Sequence, residues 1–144
     1  MVDNLSVKRR SWNMSRIRSR NTNPEFAVRK ALTELGCRYR LHRGDLPGKP
    51  DIVLPRYRVA ILVHGCFWHW HFGCIDCSKP KTNTKYWRPK LLGNLQRDRN
   101  NRRNLRRMGW TPIVIWECQT QRADELRKRL TRKLNSKIDS LNVC

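Results

Sequence analysis

Asp51-Ile52-Val53-Leu54-Pro55-Arg56-Tyr57-Arg58-Val59-Ala60-Ile61-Leu62-Val63-His64 holds two apolar runs on either side of a Pro-Arg turn. Asp51 to Leu54 is strand-sized. Tyr57 to Val63 is a near-continuous β-branched and aliphatic run, the pattern of a strand buried on both faces at the centre of a sheet. Asp51 opens the first strand and His64 ends the second. Neighbouring strands bring such ends close together, so the core already carries an acid and an imidazole at one edge.

Upstream, Asn23-Pro24-Glu25 reads as a helix start, with Asn as N-cap, Pro at the first position and Glu in the first turn. Val28, Ala31, Leu32 and Leu35 follow at i, i+3, i+4 and i+7, and Gly36 stops the helix. Cys37 to Leu41 predicts a short strand, and Gly44 to Pro50 a loop rich in turn residues. Downstream, residues 64–79 form a loop dense in His, Cys and Trp. A helix is expected from Thr84 to Met108, with Pro89 near its start, Gly109 as its stop and a basic outer face (Arg97, Arg99, Arg102, Arg103, Arg106, Arg107). Thr111 to Trp116 reads as a third core strand, and Leu126, Leu130, Leu134 and Ile138 recur every four residues on a closing helix. This order of elements implies a small α/β sandwich. Residues 1–20, with six Lys and Arg and no acid after Asp3, read as a basic arm that orders on its partner, and Trp12, Met14 and Ile17 suit a docking role. Residues 21–144 read as a single domain.

The chain has 144 residues, 32 Lys and Arg against 11 Asp and Glu, and a net charge of +21. That excess argues against an enzyme of neutral small molecules and for a polyanionic partner, nucleic acid first. No apolar run approaches the ~18–20 residues of a membrane span, and the polar, basic N-terminus lacks the apolar region of a signal peptide. A cytoplasmic protein with reduced thiols is expected, whose six cysteines are metal ligands or buried thiols rather than disulfides.

Between His64 and Cys77 lie three of the four histidines and three of the six cysteines. Thiolates with imidazole suit tetrahedral Zn²⁺. The available ligands are Cys66, His71, Cys74, Cys77 and, beyond the third strand, Cys118, and spacing does not choose four from five. Free cysteines are often merely buried, but a polar, Gly-bearing loop favours the metal. His64 and His69 remain. With Asp51 and Glu25 they fit hydrated Mg²⁺ and phosphodiester hydrolysis, histidine serving as general acid or base. Singly, Glu25 also suits a helix dipole and Asp51 a turn; the argument is their convergence. Phe67, Trp68, Trp70, Tyr86 and Trp87, flanked by His, Gly and Lys, suit stacking on or wedging between bases.

The sequence resembles the very short patch repair (Vsr-type) DNA mismatch endonucleases over the span Asn13 to Cys118. The match consists of Asn13-Met14 with Arg16, Asn21-Thr22 before Glu25, Leu46-Pro47-Gly48-Lys49-Pro50-Asp51 and His64-Gly65-Cys66-Phe67-Trp68-His69. It continues through Pro80-Lys81-Thr82, Tyr86-Trp87, Lys90, Asn94 with Arg97-Asp98-Arg99, and Gly109-Trp110 to Trp116-Glu117-Cys118.

The resemblance implies a restriction-endonuclease-like three-layer α/β/α fold with a central mixed sheet and a structural zinc site. It implies a single-strand nick 5′ to the thymine of a T:G mismatch, the product of 5-methylcytosine deamination. By the family pattern Asp51 and the Val63 backbone carbonyl bind Mg²⁺, Glu25 and His64 hold metal-bound waters, and His69 is the general base. Zinc falls to Cys66, His71, Cys74 and Cys118, leaving Cys37 and Cys77 out. Lys90 and Asn94 would read the mismatch, Phe67, Trp68 and Trp87 would wedge from the major groove, and Met14 from the minor groove. Implied partners are double-stranded DNA, the mismatch-repair protein MutL, a repair polymerase and, functionally, a cytosine-5 methyltransferase, for a monomer associated with the nucleoid. Val63 is a departure, since the family commonly has Thr there. Two other readings are a sequence-specific double-strand restriction endonuclease and a zinc-stabilised nucleic-acid-binding module. The first would need a dimer face the sequence does not display; the second leaves Asp51, Glu25, His64 and His69 without a role.

Overall fold

The structure is a computed structural model that describes residues 21–71, Cys74 and residues 84–142, with side chains for residues 21–71, Cys74 and residues 85–136. The basic arm 1–20, Met14 within it, and Cys77 lie outside the described residues.

Helix α1 spans Asn23–Glu34. Its N-cap is Thr22, whose Oγ1 accepts the Glu25 N–H at 3.4 Å, not the expected Asn23. The helix starts one residue early because Pro24, lacking an N–H, is tolerated anywhere in the first turn, where amides have no intrahelical partner. Glu25 thereby becomes the third helical residue and turns its carboxylate back toward the entering chain.

Four strands follow: β1 (Arg40–Leu41), β2 (Ile52–Leu54), β3 (Val59–His64) and β4 (Thr111–Trp116). They form one mixed sheet in the order β1-β2-β3-β4, the first two pairings antiparallel and β3·β4 parallel. Between β3 and β4 runs helix α2 (Thr84–Arg107), with Pro89 inside it, and helix α3 (Ala123–Asn142) closes the chain. The Arg58 N–H, and beyond α2 the left-handed Gly109 (φ +85°), mark the two reversals that bring the chain onto β3 and β4.

Three expected strands start later in the structure, the first apolar run by one residue, at Ile52. Tyr57 and Arg58 belong to the reversal, not to the strand: Pro55–Tyr57 forms a 3₁₀ turn and Arg58 takes φ +51°. The register Leu54↔Val59 requires this, since four residues must turn the chain between those partners. The Cys37–Leu41 strand reduces to Arg40–Leu41, an exposed edge.

Side-chain alternation sorts the core into two layers. Ile52, Leu54, Val59, Ile61, Ile113 and Ile115 pack against Val28, Ala31 and Leu32 of α1 and Leu126, Leu130 and Leu134 of α3. Val53, Ala60, Leu62 and Val114 face the other way, onto Leu105 of α2, Leu46 and Trp110. The described residues are therefore an α/β arrangement of three layers, α1 and α3 on one face and α2 on the other. No described helix is long and apolar enough to cross a membrane.

The topology puts the chemistry at one end. Parallel β3 and β4 finish together, His64 beside Trp116. Antiparallel β2 begins at that same end, so Asp51 is delivered there, as is Glu25 at the start of α1. Ile61 is fully buried on the central strand. Ile61→Ala should destabilise the protein by about 2–5 kcal/mol, the cost of a core truncation with its cavity, read by urea unfolding.

Candidate active site and metal centre

A cleft of about 810 Å³ opens at this end, lined among others by Glu25, His42, Asp51, Val63, His64, Trp68, His69, Lys90, Asn94 and Asp98. The Val63 N–H donates to Asp51 Oδ2 at 2.7 Å, fixing the carboxylate on the central strand. Burial pushes the Asp51 carboxyl up to about 6; the Val63 N–H opposes this, and the Glu25 charge beside it adds to the rise. Glu25 is only 3% exposed. Its Oε2 receives the Asn21 N–H at 2.9 Å and Arg29 Nη2 at 3.2 Å, and lies 3.3 Å from His42 Nε2.

The other half of the cleft is an imidazole pair. The His64 and His69 rings stack with centroids 3.9 Å apart and planes 5° from parallel. His69 Nδ1 lies 2.7 Å from Asp98 Oδ2. A carboxylate only accepts, so Nδ1 carries the proton and Nε2 is left as the basic atom. Burial lowers the His64 pKa to about 3, with the charge on His69 acting the same way, so His64 is a neutral ring at working pH. Its buried Nδ1 has no protein partner. A buried polar atom without a partner marks a place for a bound water or ion.

The loop carrying Asp51 is pressed onto α2. Gly48 has φ +76°, and a Cβ there would lie 2.9 Å from Asn101 Cβ. Only glycine allows this approach, which sets the distance between the Asp51 and Asp98 walls.

Next to the cleft, Cys66, His71, Cys74 and Cys118 offer four donor atoms that all lie within 4.8 Å of one another. His71 Nδ1 is 3.7 Å from Cys66 Sγ and 3.6 Å from Cys118 Sγ. Tetrahedral bonds of about 2.3 Å to sulfur and about 2.0 Å to nitrogen give S···N edges of about 3.5 Å, so the set fits a tetrahedral metal centre. Among the described residues these four come together and Cys37 is not with them. His71 also stacks on Trp116, centroids 4.1 Å apart. Burial pushes the Cys66 thiol up to about 12, and a bound cation is what would make it a thiolate.

The cleft mouth is aromatic and basic. Phe67 and Trp68 pack edge-on and tilted against Trp87, and Tyr86 also meets Trp87 edge-on. Trp87 is the buried centre of this group at 4% exposure, and Tyr86 its outer member at 39%. Lys90 Nζ lies 5.6 Å from the centroids of both Trp68 and Tyr86. Asn94 Nδ2 donates to the Trp68 carbonyl at 2.7 Å, and Arg97 donates to Asn94 Oδ1.

The fold therefore gathers Asp51, Glu25, His64, His69, Trp68, Lys90 and Asn94 around one cleft, with Phe67 and Trp87 behind Trp68. Sequence reasoning passed over His42, the one histidine outside the dense loop, and noted Asp98 only as part of a motif. The signal for Asp98 was an acid inside an otherwise basic helix.

Residues 2–78 match the family described as DNA mismatch endonuclease Vsr. The chain is similar to the Type II nicking enzyme V.XorIIP of Xanthomonas oryzae pv. oryzae, 46% identical over 94% of this chain and 98% of that protein. It is similar to the Type II nicking enzyme V.NmeAIP of Neisseria meningitidis, 39% identical over 98% of this chain and 100% of that protein. Similarity to the DNA mismatch endonuclease Vsr of Escherichia coli is 37% identity over 96% of this chain and 88% of that one.

Two outcomes follow from the geometry. In chelator, the unfolded chain ionises Asp51 near pH 3.9 and the folded chain only near 6. Folding is therefore penalised progressively as pH rises from about 4 to about 6, by at most about 3 kcal/mol, and the penalty is constant above. The Asp51→Asn variant should gain stability relative to the parent across that window in urea titrations, and a divalent cation should close the gap. Cys118→Ala should reduce bound metal from about one ion per chain to a small fraction of that, by elemental analysis, and lower Tm.

Proposed function

The chain belongs to the Vsr family of DNA mismatch endonucleases, and we propose that it nicks one strand of duplex DNA on the 5′ side of the thymine in a T:G mismatch. As a family member it is a DNA endonuclease, a phosphodiester hydrolase acting on mismatched DNA. The observation that carries the finer reading is the meeting of Asp51 and Glu25 with the His64–His69–Asp98 row in one cleft. The restriction-endonuclease-like identity of the three-layer fold is part of the same reading, with residues 21–144 as the endonuclease domain and 1–20 as its arm.

Asp51 and the Val63 carbonyl would hold a Mg²⁺ ion, with Glu25 and His64 on its waters. The donor set fits: a carboxylate tied to strand β3 by the Val63 N–H, a second buried carboxylate, and the partnerless Nδ1 of a neutral His64. When bound, such an ion neutralises charge on the phosphate and lowers the pKa of the attacking water. His69 takes the water's proton at Nε2, while Asp98 holds the ring through Nδ1 and stabilises the imidazolium. His64, flat against His69, keeps that ring from turning. Val63 would offer a cation its main-chain oxygen, a role that does not need a Thr hydroxyl.

A T:G wobble shifts donors and acceptors in the major groove, and Lys90 and Asn94 at the mouth are suited to read them. Phe67 and Trp68, backed by Trp87, are suited to wedge into the mispaired step, opposite Met14 in the minor groove. Unstacking costs a few kcal/mol, less at a mismatch, so deformability adds to selection. The arginines of α2 would neutralise phosphates. Zinc suits the Cys66–His71–Cys74–Cys118 set, thiolates with an imidazole. A cytoplasmic, nucleoid-associated monomer working beside a cytosine-5 methyltransferase, with MutL and a repair polymerase downstream, completes the reading.

The test is a nicking assay with Mg²⁺ on T:G and matched duplexes, each strand labelled separately. One cut is expected, 5′ to the mispaired thymine, with the partner strand intact. Cleavage of both strands of matched DNA, or none at all, would overturn it. Asp51→Ala should lower nicking at least about 10³-fold, consistent with loss of a cation worth several kcal/mol at the transition state, while mismatched DNA is still bound in gel-shift assays.

A further inference from the structure

We propose that His42 is a positioning residue for the Glu25 carboxylate, holding one of its oxygens so that the other is presented to the cation site. The inference rests on the reading of Glu25 just given and adds to it a residue from a different part of the fold. Three donors meet Glu25, and all three meet the same atom, Oε2: the Asn21 N–H, Arg29 Nη2 and His42 Nε2. None of these three contacts engages Oε1, and the Asp51 carboxyl lies beside the same side chain. Arg29 reaches Glu25 from its own helix and Asn21 from the turn before it, each four residues away. His42 comes from 17 residues away.

The placement of His42 follows from the sheet. Leu41 pairs with Ile52 in the β1·β2 ladder, so His42 is next in register with Asp51, and its N–H donates to the Asp51 carbonyl at 3.1 Å. At that point the backbone takes φ +50°, a conformation uncommon for a residue with a Cβ. Such a conformation in a cleft wall persists only where its surroundings hold it. One residue thus grips the main chain of Asp51 and the side chain of Glu25, and it fixes the two carboxyls relative to each other. Because a carboxylate only accepts, His42 acts as an Nε2–H donor. Outer-shell groups such as Glu25, which would meet the ion through its waters, typically account for 10–100-fold in metal affinity, and His42 acts through Glu25.

Two substitutions separate this role from simple structural support. Asn tolerates the left-handed backbone at least as well as His, but its amide is too short to reach where Nε2 stands. Gln places an amide N–H near the Nε2 position. With the metal-centre cysteines loaded, Mn²⁺ alone is titrated into parent, His42→Asn, His42→Gln and Glu25→Gln by calorimetry, free and on the heteroduplex; Tm and nicking rate are measured beside it. The expected result is Mn²⁺ binding about tenfold weaker or worse in His42→Asn with Tm maintained, parent-like binding in His42→Gln, and nicking that follows Mn²⁺ affinity. Parent-like Mn²⁺ affinity in His42→Asn, or a loss in His42→Gln equal to that in His42→Asn, overturns the role of His42 while leaving Glu25 in place. Parent-like affinity in Glu25→Gln, or a parent that binds no Mn²⁺ in either state, overturns the reading of Glu25 itself.

Discussion

The Val63 N–H bonded to the Asp51 carboxylate is the contact on which the site depends. The β2·β3 ladder runs Leu54↔Val59, Val53↔Ala60, Ile52↔Ile61 and then gives way. Beyond it, a main-chain amide on the central strand needs an acceptor, since buried backbone groups rarely go without one. A side-chain oxygen supplies it. The same carboxylate is thereby drawn out of water and toward Glu25, where its charge is resisted by burial and by a like neighbour. A sheet-forming bond and an unstable negative charge are one feature, and the cleft is arranged so that a cation would relieve it.

The second half of the site is governed by the parallel pair. Because β3 and β4 end level, His64 meets Trp116, and the loop leaving β3 can share ligands with the turn leaving β4. His69 sits inside that loop, between Cys66 and His71, and is held from outside by Asp98 of α2. The imidazole is therefore fixed by three separate parts of the chain.

Much of this was legible in the sequence because it rests on local pattern. Val59 to Val63 announced a buried strand, Thr111 to Trp116 its neighbour, and the four-residue recurrence of Leu126, Leu130 and Leu134 a helix facing the core. The convergence of Asp51 with His64 was readable from strand ends alone. Tyr57 looked like strand because its ring has the right propensity, yet the reversal after Pro55 claimed it. Asn23 looked like the cap because nothing local says that a Pro is in the second rather than the first position of a helix. His42 was illegible for a different reason. Its importance lies in pairing across a two-residue strand whose short, exposed sequence carries no signal. Likewise Trp87 reads the same whether it lies at a surface or beneath Phe67 and Trp68, and only the tertiary packing puts it beneath.

Gly48 shows how little material holds the two walls at their spacing. With no room for even a methyl group between its Cα and Asn101, the loop and the long helix touch backbone to side chain. The aperture of the cleft is thus gauged by an atom that is missing. A lineage that drifted to alanine there would keep every acid and imidazole and still hold them at the wrong separation, an enzyme complete in inventory and out of alignment.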